Sequence, residues 1–342
     1  MKIYIRNKKK RNLIINIFLL IIVLLIFLIF TEVILRYFGL SCSIVDKNND
    51  APFLISDEGY HYMKSNYNGR FKCITFDTMI KTNSYGFRDN GFNITENGII
   101  LLGDSITFGY GVEQDETFAQ ILENDLSSKG TDVYNLGVAG YGLKEYNWIY
   151  DKYSKELKHE LVILVLYEGN DFQESCNLID RAEFVADERK GFGFIKDSLK
   201  RSYTFRFLYP LTKNIINLGE TAITSKQFYT VDESEEIKNC NEMFKEELNK
   251  LKSKVVENNK DLIVLIFTSK VTFIESSDPK IDYKKRLNIL LDFCSELDLN
   301  CINFKDYIID MNKVYMKDSG HPNKEGHIEI AKLLYNYIAK YE

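Results

Sequence analysis

The chain has 342 residues, of which 45% are apolar and 27% charged, so it can build one large domain with appendages or two modest domains, and global disorder is excluded. Its net charge of −5 is unevenly placed: residues 1–11 hold Lys2, Arg6, Lys8, Lys9, Lys10 and Arg11 and no acid, which leaves −11 for the remainder. A body that acidic is not built for nucleic acid, where a basic patch supplies most of the affinity.

The first element is Asn12–Thr31, twenty uncharged and mostly apolar residues. At about 1.5 Å per residue such a helix spans the roughly 30 Å hydrocarbon core of a bilayer. It is apolar on every face, unlike a surface helix, and longer than the apolar part of a secretory signal. No small-x-small cleavage site follows it, and Glu32 and Arg36 separate it from the faintly lipoprotein-like Gly39-Leu40-Ser41-Cys42. We read it as an uncleaved single-pass anchor. The basic cluster ahead of it places residues 1–11 in the cytoplasm and everything after the helix outside. Residues 32–96 read as a stalk and a strand-rich extension, with turn signals at Asn48-Asn49-Asp50 and Asn90-Gly91 and a short strand around Arg70–Phe76.

From residue 97 to 342 the pattern changes. Short apolar runs at Ile99–Leu102, Val133–Leu136, Leu161–Tyr167, Leu262–Phe267 and Cys301–Phe304 alternate with helical stretches. The helices are expected at Thr117–Ser127, Leu143–Glu156, Ser234–Glu257, Tyr283–Glu296 and Lys324–Lys340. Fully apolar strands separated by amphipathic helices predict an α/β fold, a five-stranded parallel sheet covered on both faces in the doubly wound, flavodoxin-like order. Residues 172–255 interrupt the rhythm as an insertion. Its aromatic and basic run Lys200-Arg201-Ser202-Tyr203-Thr204-Phe205-Arg206-Phe207 suits a lid over a site as well as an extra packed helix. The six cysteines, Cys42, Cys73, Cys176, Cys240, Cys294 and Cys301, show no CxxC and no metal-ligand spacing with histidine. They offer no zinc site, and one or two disulfides are compatible with an extracytoplasmic domain.

Four blocks at strand ends carry chemistry. Gly103-Asp104-Ser105 follows the first strand and opens a helix, a place from which a serine hydroxyl reaches the crevice and its N–H can receive an oxyanion; the same residues serve equally as loop and cap. Asn135-Leu136-Gly137-Val138-Ala139-Gly140 follows the second, where glycine admits a ligand to the backbone or merely makes a turn. Glu168-Gly169-Asn170-Asp171 follows the third and can aim an amide inward. Asp318-Ser319-Gly320-His321 precedes the last helix; an aspartate three residues before a histidine can fix its tautomer and leave Nε2 to take a serine proton. Of the other histidines, His327 reads as a helix-surface residue.

Together, in this order, the blocks resemble those of the SGNH (GDSL-type) hydrolase superfamily over residues 97–342, and the chain is similar to a membrane-anchored bacterial member. Its 34 lysines to 10 arginines are the bias of an AT-rich bacterial genome. Glu168 stands where many members have glycine. Gly-x-Ser-x-Gly is absent, since Ser105 is followed by Ile106-Thr107, so the nucleophile-elbow hydrolases are excluded. The resemblance implies a catalytic triad of nucleophile Ser105, base His321 and orienter Asp318. It also implies an oxyanion hole from the Ser105 N–H, the Gly140 N–H and the Asn170 amide, with no metal or organic cofactor. The implied activity is an esterase acting on carboxylic esters, foremost O-acetyl groups on cell-surface polysaccharide. An O-acyltransferase would use the same triad, handing the acyl group to a sugar and drawing it from a membrane partner. A catalytically silent glycan-binding protein and a lipase acting on membrane lipid complete the alternatives. The partners expected are the membrane and an acylated glycan, and no nucleic acid.

Overall fold

The computed structural model describes residues 2–38, 43–46, 52–73, 75–94, 97–175, 202, 204, 229–316 and 320–340. They fall into two compact units, the first comprising Met1–Ser43, Lys72–Ile74 and Glu188–Thr221, the second the rest.

The first unit is built on helix α1 (Lys2–Phe38). Its stretch Asn12–Leu35 is long and apolar enough to cross a membrane, and side chains such as Phe18, Leu20, Ile26 and Ile29 are more than 60% exposed. Near its end the Glu32 carboxylate accepts the Ser202 hydroxyl and the Thr204 N–H, each at 2.8 Å.

The second unit opens with small strands: β1 (Ser43–Asp46), β2 (Phe53–Ile55), β3 (His61–Met63), β4 (Asn68–Lys72) and β5 (Asp77–Lys81). β2 and β3 form an antiparallel hairpin, and β1, β4 and β5 a three-stranded sheet. The short strand expected around Arg70–Phe76 overlaps the second half of β4, which ends at Lys72, and β5 starts at Asp77. Residues such as Gly69, Phe71, Thr78 and Ile80 alternate inward, as a sheet with one covered face requires.

The main sheet follows. β6 (Gly98–Gly103) leads through α2 (Ser105–Phe108) and α3 (Phe118–Leu126) to β7 (Val133–Asn135). Then come α4 (Leu143–Tyr153), β8 (His159–Tyr167), α5 (Asp171–Ser175), α6 (Glu235–Glu257), β9 (Asp261–Phe267), α7 (Lys285–Glu296), β10 (Asn300–Asn303), α8 (Met311–Val314) and α9 (Lys324–Ile338). The spatial order is β10-β9-β8-β6-β7, all parallel, which is the doubly wound order the sequence predicts. Alternate residues feed two cores. Ile100, Leu102, Val162, Leu164, Val264 and Ile266 meet α4, α6 and α7. Ile99, Leu101, Ile163, Val165, Ile263 and Leu265 meet α3 and α9. A strand buried on both faces must be apolar throughout, which is why these runs stand out in the sequence.

Helix α6 shows what becomes of the far part of the 172–255 stretch: Ile237, Phe244, Leu248, Leu251 and Val255 recur at helical spacing and pack on the sheet. Most of the expected lid lies outside the described residues, which hold only Ser202 and Thr204 of its aromatic and basic run. Cys294 and Cys301 are bridged across the turn between α7 and β10, and Cys73 and Cys240 are also in disulfides.

His327 corrects a sequence expectation. It is fully buried, its Nδ1 accepts the Phe118 N–H at 3.1 Å, and its ring stacks on Phe118. Burial pushes its pKa down to about 3, so it is a neutral core histidine. The charged residues around it in sequence hide that it falls on the inner face of α9.

Candidate active site

Parallel registry brings the strand ends level. Gly103 pairs with Val165 and Leu101 with Asn135, so Ser105, the loop after Asn135 and the block after Tyr167 emerge at one edge. The switch in chain direction lies here too, because β7 and β8 flank β6 on opposite sides.

The nucleophile block turns sharply from strand to helix. Asp104 caps α2, its Oδ1 accepting the Ile106 N–H at 2.9 Å, and Gly109 closes the helix in the left-handed region. Ser105 is 8% exposed. Its Oγ lies 2.8 Å from Nε2 of His321 and 3.3 Å from Oδ2 of Asp104. A hydroxyl has one proton to give, and the shorter contact is to the imidazole.

His321 is held by the loop around it. Its carbonyl accepts the Met316 N–H at 2.9 Å, Tyr315 and Pro322 form an isolated bridge, and Asn323 caps α9 through the Gly326 N–H. The imidazole stacks on Tyr110, with ring centroids 4.2 Å apart and planes at 20°. Tyr110 is wedged in turn by Phe71 and Phe76 of the β4–β5 pair, each about 5.0 Å away and edge-on. Asp318 lies outside the described residues.

The second block lies against the first. A Cβ on Gly137 would fall 2.5 Å from the Phe108 nitrogen, so only glycine lets this backbone approach α2. Val138 N–H bonds Gly103 O at 3.1 Å, and Asn135 Oδ1 accepts Gly137 N–H at 3.0 Å. Gly140 has φ +80°, a conformation L side chains rarely adopt.

The third block is clamped from behind. Buried Arg286 donates to the carbonyls of Glu168 at 3.0 Å and Gly169 at 2.5 Å. The fully buried Glu168 carboxylate accepts the Ser269 N–H at 2.9 Å and the Thr272 hydroxyl. Glu168, the departure from the usual glycine, thus ties this block to the loop after β9. The Asn170 side chain acts on Asp104, favouring the charged form of a carboxyl that burial pushes toward the neutral one.

Asp104, Asp171 and Glu174 are buried with ligand-type oxygens within 4.8 Å of one another. Asp104 and Asp171 are already engaged, by the Ile106 N–H and by the Tyr167 N–H, each at 2.9 Å. Burial raises both carboxyls, Asp171 further through Asp104 and Glu174. Three buried carboxyls this close disfavour one another's charge, so the neutral form is favoured behind the serine.

The structure thus brings Ser105 and His321 into contact and sets Asn170 near enough to Asp104 to act on its carboxyl. Tyr110, Arg286 and His61 escape the sequence reading; the first lies five residues after Ser105, yet nothing in one sequence pairs it with a histidine 211 residues on.

The family model for GDSL-like lipase/acylhydrolase matches residues 99–334. Similar solved structures include the esterase EstA of Pseudoalteromonas sp., 14% identical over 72% of this chain and 98% of that one, with a TM-score of 0.42. The lipase/acylhydrolase of Enterococcus faecalis is 13% identical over 71% and 95%, with a TM-score of 0.41. The acetyl xylan esterase AlAXEase is 12% identical over 70% and 99%, with a TM-score of 0.42. No curated protein matches the chain. Since the family match covers more than half the chain, the protein belongs to the GDSL-like lipase/acylhydrolase family and is a hydrolase of the SGNH type.

Proposed function

We propose that the chain is a membrane-anchored bacterial serine esterase that removes short acyl groups, foremost O-acetyl, from cell-surface carbohydrate. The observation that carries the reading is the 2.8 Å contact between Ser105 Oγ and His321 Nε2 at the carboxyl edge of the sheet, in a chain of an acylhydrolase family. As Oγ bonds the ester carbonyl carbon, its proton passes to Nε2 and the carbonyl π pair moves onto oxygen. The Ser105 N–H, the Gly140 N–H and the Asn170 side-chain amide meet that oxyanion. Collapse breaks the ester C–O bond, and the leaving alkoxide takes the proton from His321. Water then repeats the sequence on the acyl-enzyme, releasing acid and free Ser105. Asp318 holds the His321 Nδ1–H throughout. Asn12–Leu35 anchors the protein, with the basic residues 1–11 inside and the catalytic unit outside.

The test is hydrolysis of p-nitrophenyl acetate beside a long-chain ester by the full chain in detergent, with and without an oligosaccharide acceptor. Ser105-dependent release that is fastest for acetate and indifferent to sugar is expected. Release that accelerates with sugar and leaves it acylated would instead identify a transferase.

A further inference from the structure

We propose that His61, from the β2–β3 hairpin, is a positioning residue for the oxyanion-hole peptide Ala139–Gly140. The proposal rests on the esterase reading and on Gly140 as an oxyanion donor. His61 Nε2 lies 2.9 Å from the Ala139 carbonyl oxygen. A carbonyl only accepts, so Nε2 carries the hydrogen and donates it. The Ala139 C=O and the Gly140 N–H are opposite edges of one planar trans peptide. A hydrogen bond that fixes the carbonyl edge therefore fixes where the N–H points, namely away from His61. It also polarises the peptide, which makes that N–H a stronger donor.

The rest of the loop leaves this task to His61. Val138 N–H is tied to Gly103 and Tyr141 N–H to Val138. Between them, among the described residues, the hydrogen bond on the Ala139–Gly140 peptide is the one from His61, and the Gly140 N–H makes none. The space beside Gly140 is open: a Cβ there would have the His61 ring atoms, at 3.9 Å, as its nearest neighbours. His61 is itself held in place. Its ring meets Tyr141 edge-on at 5.0 Å and Phe53 at 5.7 Å, and the Tyr141 hydroxyl donates to its carbonyl. Tyr141 is fully buried, with its own carbonyl accepting the Tyr146 hydroxyl at 3.0 Å. The extension ahead of the main sheet thus reaches back to orient one of the groups that receive developing charge.

The experiment compares kcat and KM of the full chain in detergent for p-nitrophenyl acetate with those of His61→Phe, His61→Gln and Ser105→Ala, with affinity for an alkylboronate, which mimics the tetrahedral oxyanion, measured alongside. Phenylalanine keeps the ring and loses the donor; the glutamine amide restores a donor near the Nε2 position. Losing a whole oxyanion donor costs ~10²–10³-fold, so misorienting one is expected to cost about 10-fold in kcat. KM should stay within about twofold, boronate affinity should fall in parallel with kcat, and His61→Gln should recover most of the loss. Wild-type kinetics in His61→Phe, a loss confined to KM, or equal losses in both His61 variants would overturn the proposal. If His61→Phe does not fold, His61→Asn, too short to reach Ala139, takes its place under the same criteria. Activity surviving in Ser105→Ala would instead overturn the esterase reading, whereas a dead Ser105→Ala beside an unaffected His61→Phe defeats only the role of His61.

Discussion

Tyr110 faces His321 across 4.2 Å in a stack, and in the proposed mechanism the imidazole becomes a cation as it takes the Ser105 proton. A ring face against a cation contributes ~0.5–2 kcal/mol, so Tyr110→Leu is expected to lower kcat by roughly 3–30-fold. Tyr110→Phe keeps the face and should stay close to wild type; steady-state kinetics on a short-chain ester decide it. Asn170 offers a larger effect. Its amide is a proposed oxyanion donor, and its loss in Asn170→Ala should cost ~10²–10³-fold in kcat while the protein still folds. At this scale the sequence is informative wherever a function is packed into adjacent residues, as in Gly103-Asp104-Ser105 or Gly169-Asn170-Asp171. It is silent on His61 and Phe71, whose partners Ala139 and Tyr110 are met only after the chain has folded back.

Among the elements, the strands of the main sheet are the most legible. β6, β8 and β9 are buried on both faces and leave unbroken apolar runs, while α3, α6 and α9 begin at side-chain caps from Thr117, Ser234 and Asn323. The clamp behind the third block was hidden. Arg286 reads as one more cation near the start of an amphipathic helix, yet it is 1% exposed and stacks over Tyr229 at 4.4 Å. Arg286→Met would strand its two carbonyl acceptors and take a positive charge away from the buried Glu168 carboxylate. Breaking a buried charged network in this way costs about 3–5 kcal/mol, so the melting temperature should fall sharply. Adding Glu168→Gln to that variant should recover part of the loss, because no buried carboxylate then lacks its compensating cation. Thermal unfolding of the single and double variants tests both statements. The misplaced His327 teaches a related lesson: Lys324, Glu325 and Glu329 advertise a solvent face, and only the packing of α9 on α3 shows that His327 lies on the other.

Across the whole molecule, charge is distributed so that several carboxyls hold protons the unfolded chain would have lost. Burial pushes Asp89 up to about 7, and burial together with Asp89 and Asp132 pushes Glu123 up to about 8. The folded state then binds more protons than the unfolded state between about pH 4 and 8, so these groups make stability fall as pH rises through that window. Melting temperature should accordingly be higher near pH 5.5 than near pH 8.5, and Glu123→Gln should flatten that slope. Membrane anchoring makes its own prediction: the full chain should sediment with membranes and resist extraction by high salt, and deleting residues 1–36 should release it. Chemistry at Ser105 is the point on which the remaining proposals depend. The most direct measurement is labelling of the full chain by a fluorophosphonate probe, with mass-spectrometric assignment of the modified residue, beside acetate-ester turnover. A single adduct on Ser105, lost together with turnover in Ser105→Ala and strongly slowed in His321→Ala, is the expected result. Full turnover in Ser105→Ala, or an adduct on another residue with Ser105 untouched, would contradict it.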